Sequence, residues 1–233
     1  MKIIIKEKAV LDKLISDKIV ALVANKKEAN LGLATGSTPL GIYANLVLDY
    51  QNNQTDYSAI KTFNLDEYAD LPLDHQQSYH TYMKENLFKH LNINLKNTYF
   101  PVKETYLNYS KFLKDNPIDL QILGLGTNGH IGFNEPHTPF DSTTHKVRLA
   151  EQTRLDNSRL FANINDVPTH AYSMGLKDIM MAKEIVLMAT GKAKAKPIYE
   201  LIKGEVSLLW PCTILKSHPN ITIYIDEEAA SLL

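Results

Sequence analysis

Cysteine, net charge and long apolar runs are all scarce in this sequence. Its 233 residues include one cysteine, Cys212, which excludes an internal disulfide and any site built on paired cysteines. The formal net charge is −1, so no basic field would attract nucleic acid or a membrane surface. No apolar stretch could span a bilayer, and the three-residue apolar run at the N-terminus is too short for a signal-peptide core. We therefore expect a cytoplasmic protein without nucleic-acid or membrane partners.

Apolar runs that suit buried strands alternate with segments of helical spacing. The predicted strands are 31–34, 60–65, 119–125, 143–149, 170–174, 184–189 and 221–225, and the predicted helices are 5–25, 40–48, 79–91, 176–182 and a segment ending at Ile202. Residues 92–118 are interpreted mostly as loop and short helix. This alternation predicts an α/β fold with a mostly parallel sheet and helices on both faces. No repeat or linker divides the chain, so we expect one domain, 1–233.

The central feature is the segment 122–136, in which a buried strand runs into closely spaced glycines between Gly124 and Gly132. His130 and Glu135 stand among and just after these glycines. Open α/β sheets place their chemistry just beyond the ends of such strands. A glycine-rich turn whose polar side chains face water is the simpler interpretation, but the density and position of these residues favour a functional one. His130 and Glu135 do not have the spacing of a His-Glu-x-x-His zinc site, so we expect no bound metal.

A second feature joins a short strand to a helix through Thr35-Gly36-Ser37-Thr38-Pro39. Thr38 suits the helix cap and Pro39 the first helical position. Unpaired backbone N–H groups and the helix dipole make such a helix start an anion site. An ordinary capped helix is the alternative; the three hydroxyl side chains together favour phosphate binding.

Two adjacent carboxylates, Asp66 and Glu67, follow the strand that ends at Leu65. Solvated turn residues are the common interpretation of such a pair. The apolar flanks Leu65 and Tyr68 instead predict partial burial, which raises a carboxyl pKa and makes a useful proton acceptor. The sequence leaves open which of the two is the base.

Cations cluster in the second half of the chain. Arg148, Arg154 and Arg159 lie close together, and Arg159 is the strongest candidate for a phosphate ligand. Three lysines in the segment 190–197 sit at a helix start, where the dipole disfavours cations. A bound anion would remove that conflict, so we expect one of them to bind phosphate. Together these features predict proton-transfer chemistry on a small phosphorylated molecule.

Four segments, 33–39, 62–68, 124–136 and 157–159, resemble the motifs of the glucosamine-6-phosphate deaminases and occur in that family's order. The resemblance implies a modified doubly wound, Rossmann-like α/β sheet. It implies a hydrolase of amino-sugar catabolism that converts glucosamine 6-phosphate and water to fructose 6-phosphate and ammonium. It also implies that no metal or organic cofactor is needed.

The resemblance also implies roles for individual residues. Asp66 would carry the proton from C2 to C1 through an enolamine, and His130 would open the sugar ring. Glu135 would orient and polarise His130. The family often has aspartate where this chain has Asn128, so charge-based support of His130 from that side is absent. The implied substrate-binding residues are Thr35, Gly36, Ser37, Thr38, Arg159 and Lys194.

Regulation is the point at which the chain departs from longer family members, which are hexamers activated by N-acetylglucosamine 6-phosphate and use a C-terminal extension. This chain stops at Leu233, and His145 and Val147 stand where those members have a basic pair. We therefore expect a monomer without an allosteric activator.

Two other functions compete with this interpretation. A 6-phosphogluconolactonase shares the fold and a related glycine-histidine loop, but it needs no carbon base such as the segment 64–68 offers. A sugar-phosphate-sensing domain of a transcription regulator should come with a DNA-binding helix-turn-helix, and the N-terminal helix leaves no room for one. A sensor would also not need Asp66, His130 and Glu135 together.

Overall fold

The computed structural model describes residues 1–159 and 161–233. The strands are β1 Lys2–Ile5, β2 Asn30–Leu33, β3 Lys61–Asn64, β4 Asp66–Tyr68, β5 Thr98–Tyr99, β6 Leu120–Leu123, β7 His145–Arg148, β8 His170–Ser173, β9 Ile185–Ala189 and β10 Ile221–Ile225. The α-helices are α1 Lys8–Asn25, α2 Leu40–Asn53, α3 Tyr79–Asn86, α4 Tyr106–Asp115, α5 Glu151–Ser158, α6 Leu176–Ile179 and α7 Ala195–Ile202. Short 3-10 helices occur at Phe88–His90, Leu95–Asn97, Ile164–Asp166, Lys192–Lys194 and Pro211–Ser217.

The main sheet is parallel and has the strand order β1-β10-β9-β6-β2-β3-β5. After β2, the chain adds β3 and then β5 on one side of β2. It then crosses back, so that β6 pairs with β2 on the other side. Connections on the two sides of this switch point diverge, which opens a crevice at the carboxyl ends of the strands. The predicted Rossmann-like α/β class is confirmed.

The central strands are buried on both faces, as their continuous apolar runs predict. In β9, Val186 and Met188 pack into the cluster that contains α1 and α2, whereas Leu187 packs into the cluster on the opposite face. Full burial of one such aliphatic side chain stabilises the fold by about 1.5–3 kcal/mol. The rigid edge formed by these strands supports the loops that follow them.

Helix α1 presents Leu11, Ile15 and Ile19, four residues apart, to the core. It begins at Lys8 and not at residue 5, because residues Lys2–Ile5 form β1, which pairs in parallel with β10. The sequence did not predict this edge strand, which is short and largely exposed.

A second sheet, with the order β4-β8-β7, is antiparallel. Strands β7 and β8 were predicted, and β7 shows the expected half-buried alternation. The antiparallel pairing was not predicted, nor was the strand formed by Asp66–Tyr68. Because β4 follows β3 after a single residue, this sheet begins at the carboxyl edge of the main sheet.

Two local features differ from the predictions. The segment 92–118 contains the expected short helix, α4, but also the two-residue strand β5, which was not predicted. Helix α2 begins at Leu40 with Pro39 itself in the cap position and no side-chain cap, so Thr38 does not cap it. The carbonyl of Pro39 accepts the first helical hydrogen bond, from the N–H of Tyr43 at 2.9 Å. No helix among the described residues is long and apolar enough to cross a membrane.

Candidate active site

A pocket opens where the predicted crevice lies, at the carboxyl ends of the central strands. Its walls are the loops after β2, β3, β6 and β9, together with helix α5 and Tyr79 of α3. The predicted residues that line it are Thr35, Gly36, Ser37, Thr38, Asp66, His130, Arg159 and Lys194. Asn128 and Glu135 do not line the pocket but contact His130. All the motif residues therefore meet at one place.

The loop after β2 forms part of the pocket wall. Gly36 has a φ of +86°, a left-handed conformation that side chains disfavour, and a Cβ there would meet no atom within 4 Å. The residue is thus required by the turn and not by packing. The carbonyl of Gly36 accepts a hydrogen bond from the Tyr82 hydroxyl at 2.6 Å, which ties the loop to α3.

Two cations, Arg159 and Lys194, line the same pocket. Burial lowers the pKa of Lys194; the nearby carboxylate of Asp156 opposes this change, and the guanidinium of Arg159 adds to it. Lys194 is partly buried and Arg159 is exposed, and two cations close enough to affect each other's charge favour an anion between them. Of the neighbouring lysines, Lys196 lies over the Trp210 ring, 5.5 Å from its centroid. Lys194 is the lysine of this segment that lines the pocket.

The carboxylates of Asp66 and Glu67 have different environments, because successive side chains of a strand point to opposite faces. Glu67 is buried and accepts hydrogen bonds from the backbone N–H groups of Tyr68, Tyr79 and His80 at 2.8–3.0 Å. Its carboxylate thus supports the first turn of α3. Asp66 instead lines the pocket, where burial, aided by repulsion from Glu67, raises its pKa to about 8. It is therefore the carboxylate available as a strong base.

His130 and Glu135 form a second acid–base unit. The Nδ1 atom of His130 lies 3.6 Å from Oε2 of Glu135. A Cβ on Gly126 would fall 2.3 Å from the imidazole Cε1, so only glycine leaves room for the ring there.

Glu135 is held by two further side chains. Asn128 Nδ2 donates to its Oε2 at 2.8 Å, and Thr153 Oγ1 donates to its Oε1 at 2.5 Å. Burial by itself would raise the pKa of Glu135, but the neighbouring imidazole of His130 and these two donors lower it to about 2. The carboxylate next to His130 is thus ionised. Asn128 contacts this carboxylate through Nδ2, and its Oδ1 accepts from the backbone N–H of His130 at 3.2 Å.

Helix α5 contributes pocket residues that the sequence reasoning missed. Thr153, Asp156 and Asn157 line the pocket beside Arg159. Their spacing of three and four residues places them on one helix face, which was a usable signal. Tyr79 was also missed as a pocket residue. The pocket as a whole combines two cations with the acid–base groups Asp66 and His130.

Three kinds of comparison relate this chain to known proteins. A family model described as glucosamine-6-phosphate isomerases/6-phosphogluconolactonase matches residues 7–223. A protein of Mycoplasma mycoides named glucosamine-6-phosphate deaminase is 50% identical over 91% of this chain and 88% of its own length.

Among solved structures, a monomeric glucosamine-6-phosphate deaminase superposes with a TM-score of 0.97 at 38% identity, with 100% of both chains covered. The 6-phosphogluconolactonase of Trypanosoma brucei superposes with a TM-score of 0.80 at 18% identity, covering 100% of this chain and 98% of its own. The latter similarity concerns the fold alone.

Proposed function

The chain belongs to the family of glucosamine-6-phosphate isomerases and 6-phosphogluconolactonases, and on that premise we propose that it converts glucosamine 6-phosphate and water to fructose 6-phosphate and ammonium. This is an isomerising deamination that serves amino-sugar catabolism. The observation that carries the proposal is one pocket lined by two cations, Arg159 and Lys194, together with the acid–base groups Asp66 and His130. Hydrolysis of a lactone would not require a buried carboxylate with a raised pKa.

The phosphate of the substrate binds at the cationic end of the pocket. Arg159 and Lys194 supply charge, and the loop Thr35–Thr38 supplies hydroxyl and backbone donors. Binding the phosphate there places the sugar ring toward Asp66 and His130. Unphosphorylated glucosamine lacks this anchor and is expected to react poorly.

Ring opening comes first, because C2 becomes acidic only when C1 is a carbonyl carbon. His130 moves a proton from the O1 hydroxyl to the ring oxygen, and the C1 aldehyde forms as the C1–O5 bond breaks. The ionised Glu135 holds the imidazole in position during this step. A well-placed acid–base group of this kind contributes about 10²–10⁴-fold to the rate.

Asp66 then removes the proton from C2, which forms an enolamine, and returns it to C1. The resulting C2 iminium adds water and releases ammonium, leaving the C2 ketone of fructose 6-phosphate. A carboxylate with a pKa of about 8 is a far stronger base than an exposed one, which suits removal of a carbon-bound proton.

We also propose that the chain acts as a cytoplasmic monomer without an allosteric activator. The support is the similarity to a deaminase described as monomeric, together with His145 and Val147 where hexameric members have a basic pair.

Ammonium release from glucosamine 6-phosphate by the purified protein tests the proposal. Glucosamine and 6-phosphogluconolactone serve as parallel substrates. Release of ammonium from the phosphorylated amino sugar alone is the expected result. Hydrolysis of the lactone without ammonium release would refute the proposed deamination.

A further inference from the structure

The hydroxyl of Thr153 forms a buried contact between helix α5 and the Glu135–His130 pair. Thr153 is 3% exposed, and its Oγ1 donates to Oε1 of Glu135 at 2.5 Å. Both groups are shielded from water, where a hydrogen bond to a charged group is strongest. This contact is unlike the other polar contacts of α5, which are partly exposed.

Glu135 has two carboxylate oxygens with separate tasks. Oε2 accepts from Asn128 and is also the oxygen nearest to Nδ1 of His130, at 3.6 Å. Nδ1 of His130 is buried and has no hydrogen-bond partner among the described residues. A small rotation of the carboxylate therefore decides whether Oε2 reaches the imidazole. The hydrogen bond from Thr153 to Oε1 restricts that rotation.

Helix α5 also contributes other residues to the pocket. Asp156 and Asn157 of this helix line the pocket, and Arg159 follows directly after its last residue. The helix that leads to a proposed phosphate-binding cation thus also contacts the carboxylate beside the imidazole.

We propose that Thr153 is a positioning residue for ring opening. Its hydrogen bond keeps the carboxylate of Glu135 oriented toward His130 and makes that orientation depend on the position of helix α5. This inference rests on the proposed deaminase function. Thr153 acts through Glu135 and makes no proton transfer of its own. Loss of its hydroxyl should therefore slow ring opening without lowering the affinity for an open-chain substrate analogue.

The test compares Thr153→Val, which keeps the shape but removes the donor, with Thr153→Ser, which keeps the donor. We expect kcat for glucosamine 6-phosphate to fall about 10- to 100-fold in the valine variant, the range for loss of a hydrogen bond to a charged group, and to stay within about 3-fold in the serine variant. The dissociation constant of 2-amino-2-deoxyglucitol 6-phosphate, which has no ring to open, should not change in either.

Thr138→Val is the matched control, because the Thr138 hydroxyl donates to the backbone carbonyl of the same Glu135 at 2.7 Å and not to its carboxylate. It should leave kcat nearly unchanged. Should Thr153→Val fail to fold, the Thr153→Ala and Thr153→Ser pair makes the same comparison. Equal kcat in the donor-free and donor-containing variants, or weaker binding of the open-chain analogue, would overturn the inference. An inactive wild type would overturn the proposed function itself.

Discussion

Replacing the pocket carboxylate with an amide, Asp66→Asn, should abolish turnover and yet stabilise the fold at alkaline pH. Asp66 is 6% exposed, and burial, with repulsion from Glu67, raises its pKa from 3.8 to about 8. The folded protein thus holds this proton more tightly than the unfolded chain. The free energy of unfolding must therefore fall as the pH rises from 3.8 to about 8. Above pH 8 the full destabilisation by the ionised Asp66 is present.

The size of the effect follows from the same two values. One pKa unit corresponds to about 1.4 kcal/mol, so the total cost at high pH is on the order of 5 kcal/mol. Between pH 5 and pH 9 the cost grows by about 4 kcal/mol. Asparagine does not titrate, so the stability of Asp66→Asn relative to wild type should rise by that amount over this range.

Urea unfolding of both proteins at pH 5, 7 and 9, in buffers free of phosphate and sulfate, measures the difference. Glu67→Gln is the matched control, since that neighbouring carboxylate accepts backbone N–H donors that an amide nitrogen cannot satisfy. The free energy of unfolding of Glu67→Gln should be about 1–3 kcal/mol lower than that of the wild type at neutral pH. If the wild-type and Asp66→Asn stability curves ran parallel from pH 5 to pH 9, the reasoning about Asp66 would be refuted.

The same pKa predicts that kcat/KM of the wild type rises about tenfold per pH unit below pH 8 and levels off above it, because only the Asp66 carboxylate accepts the C2 proton; a profile flat from pH 6 to 9 would contradict this. Asn128→Asp would set a second carboxylate where the amide now donates to Glu135 at 2.8 Å. It should raise the pKa of Glu135 and supply the charge-based support of His130 that the amide cannot give, so kcat at neutral pH should rise by up to about 10-fold, with Asn128→Ala as the control that removes the donor without adding charge. Asp156→Asn removes the carboxylate near Lys194. Inhibition by inorganic phosphate should therefore strengthen about 3- to 10-fold, and unchanged inhibition would show that this carboxylate does not oppose the anion.

Strands that are buried on both faces were predicted to within two residues at each end. The apolar runs of β6, β9 and β10 have no polar face to obscure them, so composition and length were sufficient. The exposed edge strand β1 and the three-residue strand β4 carry no such signal. Their existence depends on pairing with β10 and β8, which lie far away in the sequence.

The sequence by itself determined the α/β class and identified the pocket residues that follow the strands, since glycines, hydroxyls, carboxylates and cations at strand ends need no knowledge of pairing; it missed Tyr79 and the pocket face of α5. The residue pattern left open which neighbouring carboxylate is the base, the family resemblance implied Asp66, and the tertiary structure supplies the physical reason why Asp66 faces the pocket. Pairing of β4 with β8 sets the alternation, and the first turn of α3 engages Glu67, which leaves Asp66 desolvated in the pocket. The role of Thr153 was equally invisible in the sequence, because its partner Glu135 is brought to it by the packing of α5 against the loop after β6.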